Sequence, residues 1–306
     1  MSGSVGTVRS NVFGLFNTRL SPRVTALILL VPAIVGFIFL FAYPMVGVVR
    51  DSVSLPVSGL DNYKEMFTDG YTMRIIIRTL WVALLVAIID VALAFPYAYM
   101  MTICGPRWTA LLMIVVLIPF WGNATAKNFG LMVLFQREGL IQDFTSWFGW
   151  DHALIATRPG VIIAMAQVML PFAVLPLYAR LGQINHRLID AAQGLGATRV
   201  KAFWRVYFPL SMPGVGAAVT LVFLLSLGFY ITPAMLGSPQ ETLIAQLIMA
   251  RLQVIHDFGG ASAIGVFLLV VTMTVLGVAQ FLGSRMTSGR KRVPIVDVVK
   301  PEGGVL

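Results

Sequence analysis

Long unbroken apolar runs dominate the chain. Six stand out, at roughly Thr25–Val49, Thr79–Ile103, Trp108–Ala126, Val161–Ala179, Gly214–Leu236 and Ala261–Gly283. Each is close to the length of about 20 residues that a helix needs to cross a hydrocarbon core. None shows the period-two alternation of a half-buried strand, and in lipid a helix satisfies its own backbone groups. The pattern predicts an all-α polytopic membrane protein with about six transmembrane helices. The first run is too long for a signal-peptide core and no small-residue cleavage site follows it, so it reads as an uncleaved anchor. Prolines sit within several runs: Pro32 and Pro44, Pro96, Pro171 and Pro176, and Pro233. Each removes a backbone hydrogen bond and bends a helix; ordinary helix packing accounts for them singly, while the pair in the fourth run also suits a cavity wall.

Composition supports this pattern. At 58% hydrophobic and 11% charged, the chain falls well short of the roughly 25% charged residues of soluble domains. A formal charge of +9 could suggest a nucleic-acid partner, but its distribution points to topology instead. With six spans, both termini, the second-to-third loop and the fourth-to-fifth loop share one side. These pieces carry 14 of the 22 basic residues and three acids, Asp190, Asp297 and Glu302. The other side holds nine acids. By the positive-inside rule both termini are expected in the cytoplasm, and no nucleic-acid partner is expected. Arg290-Lys291-Arg292 suits an anchor at anionic membrane lipid. The chain divides into an N-terminal tail (1–24), a six-helix membrane domain (25–284) with a long loop at 185–213, and a C-terminal tail (285–306). The lone Cys104 excludes an internal disulfide framework and a multi-thiolate metal site.

The fourth-to-fifth loop, Asn185 to Gly214, has the most internal order. Asn185 can cap a first short helix. Leu188, Ala191, Ala192 and Leu195 then fall at i, i+3, i+4 and i+7, a narrow apolar stripe with small residues at its centre. Gly196 supplies a left-handed residue to end that helix, and Thr198 can cap the next. In the second helix Val200, Phe203, Trp204 and Tyr207 form a stripe, with Arg199 and Arg205 off it and Pro209 and Pro213 closing the segment. Small residues on an exposed helix let another backbone approach, which fits the helix-in-groove mode of recognition. An amphipathic helix lying on the membrane is the other reading. It suits Val200–Phe208 but not Leu188–Leu195, which has little bulky apolar area to bury.

Asp190-Ala191-Ala192, Gly196, Val206 and Pro209 resemble the EAA motif of binding-protein-dependent ABC importer permeases. That motif runs EAA, three residues, G, nine residues, I-x-L-P; here Asp stands for Glu at 190, Val for Ile at 206 and Phe for Leu at 208. The flanking LPLYARL (175–181) and PLSMPG (209–214) are similar to the same family, and the resemblance runs from about Leu80 to Gly283. It implies the type I importer permease fold. It also implies a cytoplasmic coupling helix seated in a cleft of an ATP-binding subunit, formed by Asp190, Ala191, Ala192, Leu195, Gly196 and Ala197 with Val206 and Pro209 beyond. The implied partners are ATP-binding cassette subunits, a second permease subunit (identical or homologous) and an extracytoplasmic solute-binding protein in a bacterial inner membrane. ATP hydrolysis would lie on the separate subunit, and no cofactor is implied.

The spermidine/putrescine permease subgroup is resembled through Leu60-Asp61-Asn62-Tyr63 and GFYITPAMLGSP (228–239), features shared in part with importers of opines, ferric iron and thiamine. A polyamine is a flexible cation, so its path should offer carboxylates or aromatic faces. Asp90 is the one acid deep within a predicted span. Such a residue costs about 2.5–3.5 kcal/mol by insertion scales and reads as functional by default; a helix–helix hydrogen bond or a pair with a neighbouring subunit is the alternative. Gln167, Tyr230 and Thr232 are further candidates for the path, and packing is the alternative for each. No GxxxxGK[ST], HExxH or GxSxG pattern occurs, and His152, His186 and His256 lie scattered outside the predicted spans. Asn123-Ala124-Thr125 matches a glycosylation pattern at a span edge. A self-sufficient secondary transporter or channel, or a structural subunit of a membrane complex, remain the rival classes; the Asp190–Pro209 loop is what a transporter working alone has no need for.

Overall fold

The computed structural model describes residues 22–56, 59–136, 139, 141, 147, 154–185 and 187–288. Most of both predicted tails, with Arg290-Lys291-Arg292, His152 and His186, lies outside the described residues. Helices follow one another with no strand among the described residues. Helix α1 runs through Pro22–Phe37, a π turn at Ile38–Ala42 and Tyr43–Ser54. Then come α2 (Asp61–Thr68), α3 (Gly70–Ile103), α4 (Pro106–Trp121), α5 (Ala124–Phe135) and α6 (Arg158–Leu181). After α6 follow α7 (Arg187–Gly194), α8 (Arg199–Leu227), α9 (Ile231–Leu236), α10 (Ile244–Ile255) and α11 (Phe258–Ser288). Five of the described helices are long and apolar enough to cross a membrane, six if α4 and α5 count as one broken span.

That break corrects the expected third span, Trp108–Ala126. Helices α4 and α5 meet at 96°. The local chemistry dictates the bend: Asn123 starts a new helix by accepting from the amides of Thr125 (2.8 Å) and Ala126 (3.2 Å). The Lys127 ammonium donates to the Pro119 carbonyl that the ended helix leaves open. The expected fifth span, Gly214–Leu236, is displaced as well. Its helix begins fifteen residues earlier at Arg199 and stops at Leu227, and Ile231–Leu236 forms the separate α9. Pro233 lacks the N–H that a continuing helix would use, and its ring would clash with the preceding turn. At the other end Pro209 does not close the segment. A π turn at Phe203–Tyr207, closed by the Phe208 amide on the Phe203 carbonyl, precedes Pro209 and carries the helix past it. The π turn in α1 precedes Pro44 in the same way, closed by Tyr43 on Ile38.

The core is a three-helix unit of α3, α6 and α8. Lipid provides no hydrophobic drive between spans, so small residues that allow close approach matter most. Fully buried Ala87, Ala94 and Ala98 on α3 share one core cluster with Ala173 on α6 and Ala218 on α8. Contact is closest at Gly214: a Cβ there would lie 2.7 Å from Cβ of Arg180. In contrast, α1 from Leu30 onward buries little, with Leu40 83% exposed, and only its C-terminal part packs, against α11.

Polar ties close the end of the bundle where α3 begins. Asp69 caps α3, accepting from the amides of Tyr71 and Thr72 and from the Thr72 hydroxyl (2.6 Å). That hydroxyl bond, then those amides and the more distant Arg251 charge, hold the Asp69 carboxyl below the ordinary carboxylate range. Arg251 bonds Asp257 at 2.9 Å and the Thr72 hydroxyl at 3.2 Å. Arg158 at the start of α6 pairs with Glu241 through both carboxylate oxygens. The buried Thr79 hydroxyl accepts the Ile244 amide and ties α10 to α3.

Candidate functional site: the α7–α8 surface

At the opposite end of α3, thirty residues and about 45 Å along the helix at 1.5 Å per residue, α7 and the start of α8 form a compact corner. Asn185 opens α7 by accepting the Arg187 amide at 3.0 Å. Asp190 lies in the first turn, where a negative charge meets the positive end of the helix dipole. The same position suits Glu for the same reason. Gly196 has φ +87°, as the left-handed ending requires. Its amide bonds the Gln193 carbonyl (2.9 Å), and the Ala197 amide bonds that of Ala192 (3.1 Å). This pair of bonds is a Schellman ending. Thr198 then caps α8 by accepting the Lys201 amide at 3.3 Å.

The two predicted stripes divide differently from expectation. In α7 the half-buried residues are Ile189, Ala192 and Gln193, with Ile189 packed on the main core. Leu188, Ala191 and Leu195 face outward, Leu195 being 90% exposed. In α8 the stripe splits: Phe203 and Tyr207 turn inward while Val200 and Trp204 stay exposed. Phe203 and Tyr207 stack at 5.5 Å, and Tyr99 of α3 meets both edge-on at 5.7 and 5.2 Å. Phe95 of α3 packs against Phe203 and Phe208. This aromatic cluster ties the corner to α3, and of the stripe it leaves only Val200 and Trp204 facing outward. A cleft of about 300 Å³ lies between α3 and the corner, lined by Tyr99, Ile189, Asp190, Gln193, Arg199 and Phe203.

The structure thus brings together Asp190, Ala191, Ala192, Leu195, Gly196 and Ala197 on one small corner, while Val206 is half-buried and Pro209 exposed further along α8. Ile189, Tyr99 and Phe95, which hold the corner in place, were not singled out in the sequence. Ile189 could have been found as the bulky apolar member of the Ile189/Ala192/Gln193 spacing. The aromatic partners on α3 carry no local signal, because they meet α8 only through tertiary packing.

The four candidate path residues do not share one environment. Gln167 on α6 and Tyr230 before α9 are exposed. Thr232 is fully buried and donates to Oδ1 of Asn128 at 2.9 Å, joining α9 to α5. Asp90 is also fully buried, on the α3 stripe with Val86, Ala87 and Ala94, and neither of its carboxylate oxygens has a hydrogen-bond partner. Among the described residues no group of three or more metal-ligating side chains occurs. The corner offers a carboxylate, an arginine and exposed apolar side chains, backed by the aromatic cluster.

Comparison with known proteins agrees in class. No family profile matches the chain. The spermidine/putrescine transport system permease protein PotB of Haemophilus influenzae is 30% identical over 219 residues, covering 70% of this chain and 76% of that protein. PotB of Escherichia coli (strain K12) is 28% identical over 271 residues, covering 84% of this chain and 97% of that protein. In structure, a chain of a bacterial ABC transporter that imports the acidic polysaccharide alginate superposes with a TM-score of 0.69 at 20% identity, covering 86% of this chain and 96% of that one. The overall fold is therefore shared with a known ABC transporter chain, and the chain belongs to the family of ABC importer permeases.

Proposed function

We propose that this chain forms one half of the membrane path of an importer for a small cationic solute of the polyamine class. A second permease chain would supply the other half, two ATP-binding subunits the hydrolysis, and an extracytoplasmic binding protein the solute. The observation that carries the coupling role is the α7 corner. Leu188, Ala191 and Leu195 form an exposed stripe of small and apolar side chains, while Ile189 and the Tyr99–Phe203–Tyr207 cluster tie its back face to α3 and α8. A push on the corner would therefore move the core helices rather than a loose loop. In this reading Asp190–Ala197 seats in a groove of the ATP-binding subunit, and both chain termini lie on that same cytoplasmic side. ATP binding biases an equilibrium between outward- and inward-open arrangements.

The polyamine class is supported by the PotB relatives and by the chemistry available to a cation: the Tyr230 ring, the Gln167 amide and the Asp90 carboxylate. Asp90 and Thr232 lie within the packing here, so contact with a solute would require the α3–α6–α8 unit to open at Asp90 and α9 to part from α5 at Thr232 during the cycle. The test is uptake of labelled spermidine by cells expressing the complete transporter. Saturable, ATP-dependent uptake that falls in Asp90→Asn and Tyr230→Ala supports the reading. Uptake of other solutes but not of spermidine or putrescine would refute the substrate class and leave the permease class standing.

A further inference from the structure

A second cleft, of about 360 Å³, lies far from the α7 corner, beside the start of α3 and α6. It is lined by Arg74, Arg78 and Arg158 at one end and by Ile77, Trp81, Val82, Leu85 and Ile162 along its length. We propose that this cleft binds an anionic phospholipid, with the phosphate held by the three arginines and an acyl chain laid along α3.

The arrangement is graded along the helix axis. Arg74 and Arg78 are one turn apart on α3, and Arg158, the first residue of α6, lines the same cleft, so three guanidinium groups share it. Their hydrogen bonds leave donors free. Arg74 uses Nε on the Gly70 carbonyl, Arg78 uses Nη1 on the Thr242 carbonyl, and Arg158 uses Nε on Glu241. Glu241 is the one carboxylate paired with them, so the three guanidinium groups outweigh it and favour an anion. A guanidinium presents its remaining N–H groups in a fork that matches phosphate oxygens.

Past Arg78 the lining residues of α3, Trp81, Val82 and Leu85, are all apolar, as are Ile77 between the two arginines and Ile162 of α6; Ile77 and Trp81 are 58% and 59% exposed. From Arg78 to Leu85 is seven residues, about 10 Å at 1.5 Å per residue, about a third of a hydrocarbon core of about 30 Å. A free phosphate or a carboxylate solute would use the arginines and leave that apolar wall bare. An amphiphile uses both. A polyamine is repelled by the same three charges, so the cleft stands apart from any cation path.

The cleft is tested on the full-length chain purified in a mild detergent within its complex. Lipid retention is read by native mass spectrometry after titration with phosphatidylglycerol, with phosphatidylcholine, or with glycerol 3-phosphate as competitor. Phosphatidylglycerol should be retained well above phosphatidylcholine, and Arg74→Gln and Arg78→Gln should each lower that preference about fivefold. Lysine at both positions should preserve most of it, which separates loss of charge from loss of fold. Trp81→Ala should weaken retention of phosphatidylglycerol, and glycerol 3-phosphate should fail to displace it. Equal retention of the two lipids, or a preference unchanged in Arg74→Gln/Arg78→Gln, would overturn the proposal. Displacement by glycerol 3-phosphate would also overturn it, assigning the cleft to a free phosphate.

Discussion

The two ends of α3 are finished in opposite ways. Where it begins, Arg251 pairs with Asp257 and Glu65 and Arg158 with Glu241, and among the described residues all ion pairs lie there. Where it ends, the α7 corner has an exact backbone ending at Gly196 but leaves Leu188, Leu195, Val200 and Trp204 uncovered. Isolated exposed apolar residues are ordinary, but two on α7 and two at the start of α8 lie together on one corner, and this clustering is what supports the proposed docking surface. Most charges at one end are paired within the chain, with Arg74 and Arg78 beside the cleft as the exception; the other end is rigid and leaves apolar side chains exposed.

The contrast can be broken most severely at the exposed apolar end. Ala191→Trp fills the stripe without touching the core, so uptake should fall about tenfold or more, in the range of typical coupling energies. Membrane insertion and thermal stability in detergent should stay as in the parent. The core responds in the reverse manner. Gly214→Ala places a Cβ 2.7 Å from Cβ of Arg180, and separating α6 from α8 should cost about 1–3 kcal/mol, read as a lower unfolding midpoint in detergent.

The paired end should prove individually tolerant. Arg158→Gln removes a pair whose arginine is 61% exposed, so its stability cost should stay below about 1 kcal/mol. The smallest effect is expected from pH. The folded Asp69 carboxyl titrates below its unfolded value. Its contribution is therefore complete above the unfolded carboxylate pKa of about 3.9 and is lost as pH falls through the lower folded value. Asp69→Asn should flatten that acid-side loss in a stability–pH profile, and an unchanged profile would remove Asp69 from the account.

The sequence revealed a good deal of this. Apolar length marks the spans, because a bilayer demands it, and Asn185, Gly196 and Thr198 announce the ends of short helices through local chemistry. What stayed hidden depends on longer range or on competing local signals. The run Trp108–Ala126 is apolar throughout, yet Asn123 capping and the reach of Lys127 to Pro119 turn the chain by 96° within it. Val200, Phe203, Trp204 and Tyr207 keep helical spacing, but Tyr99 on α3 decides which pair is buried. Pro209 reads as a stop, and only the π turn before it shows how the helix continues. Asp90 was visible as an intramembrane acid, while its lack of a partner is a fact of packing.

Seating of an ATP-binding subunit on the α7 corner is the proposal from which the coupling role follows. It is tested most directly by site-specific cross-linking in the assembled transporter, with Cys104→Ser as the parent and a single cysteine introduced at Ala191, at Leu195 or at exposed Leu40 on α1. The account predicts an adduct with the ATP-binding subunit from positions 191 and 195 and none from position 40. Normal ATP-driven uptake with no such adduct from either corner position would contradict it.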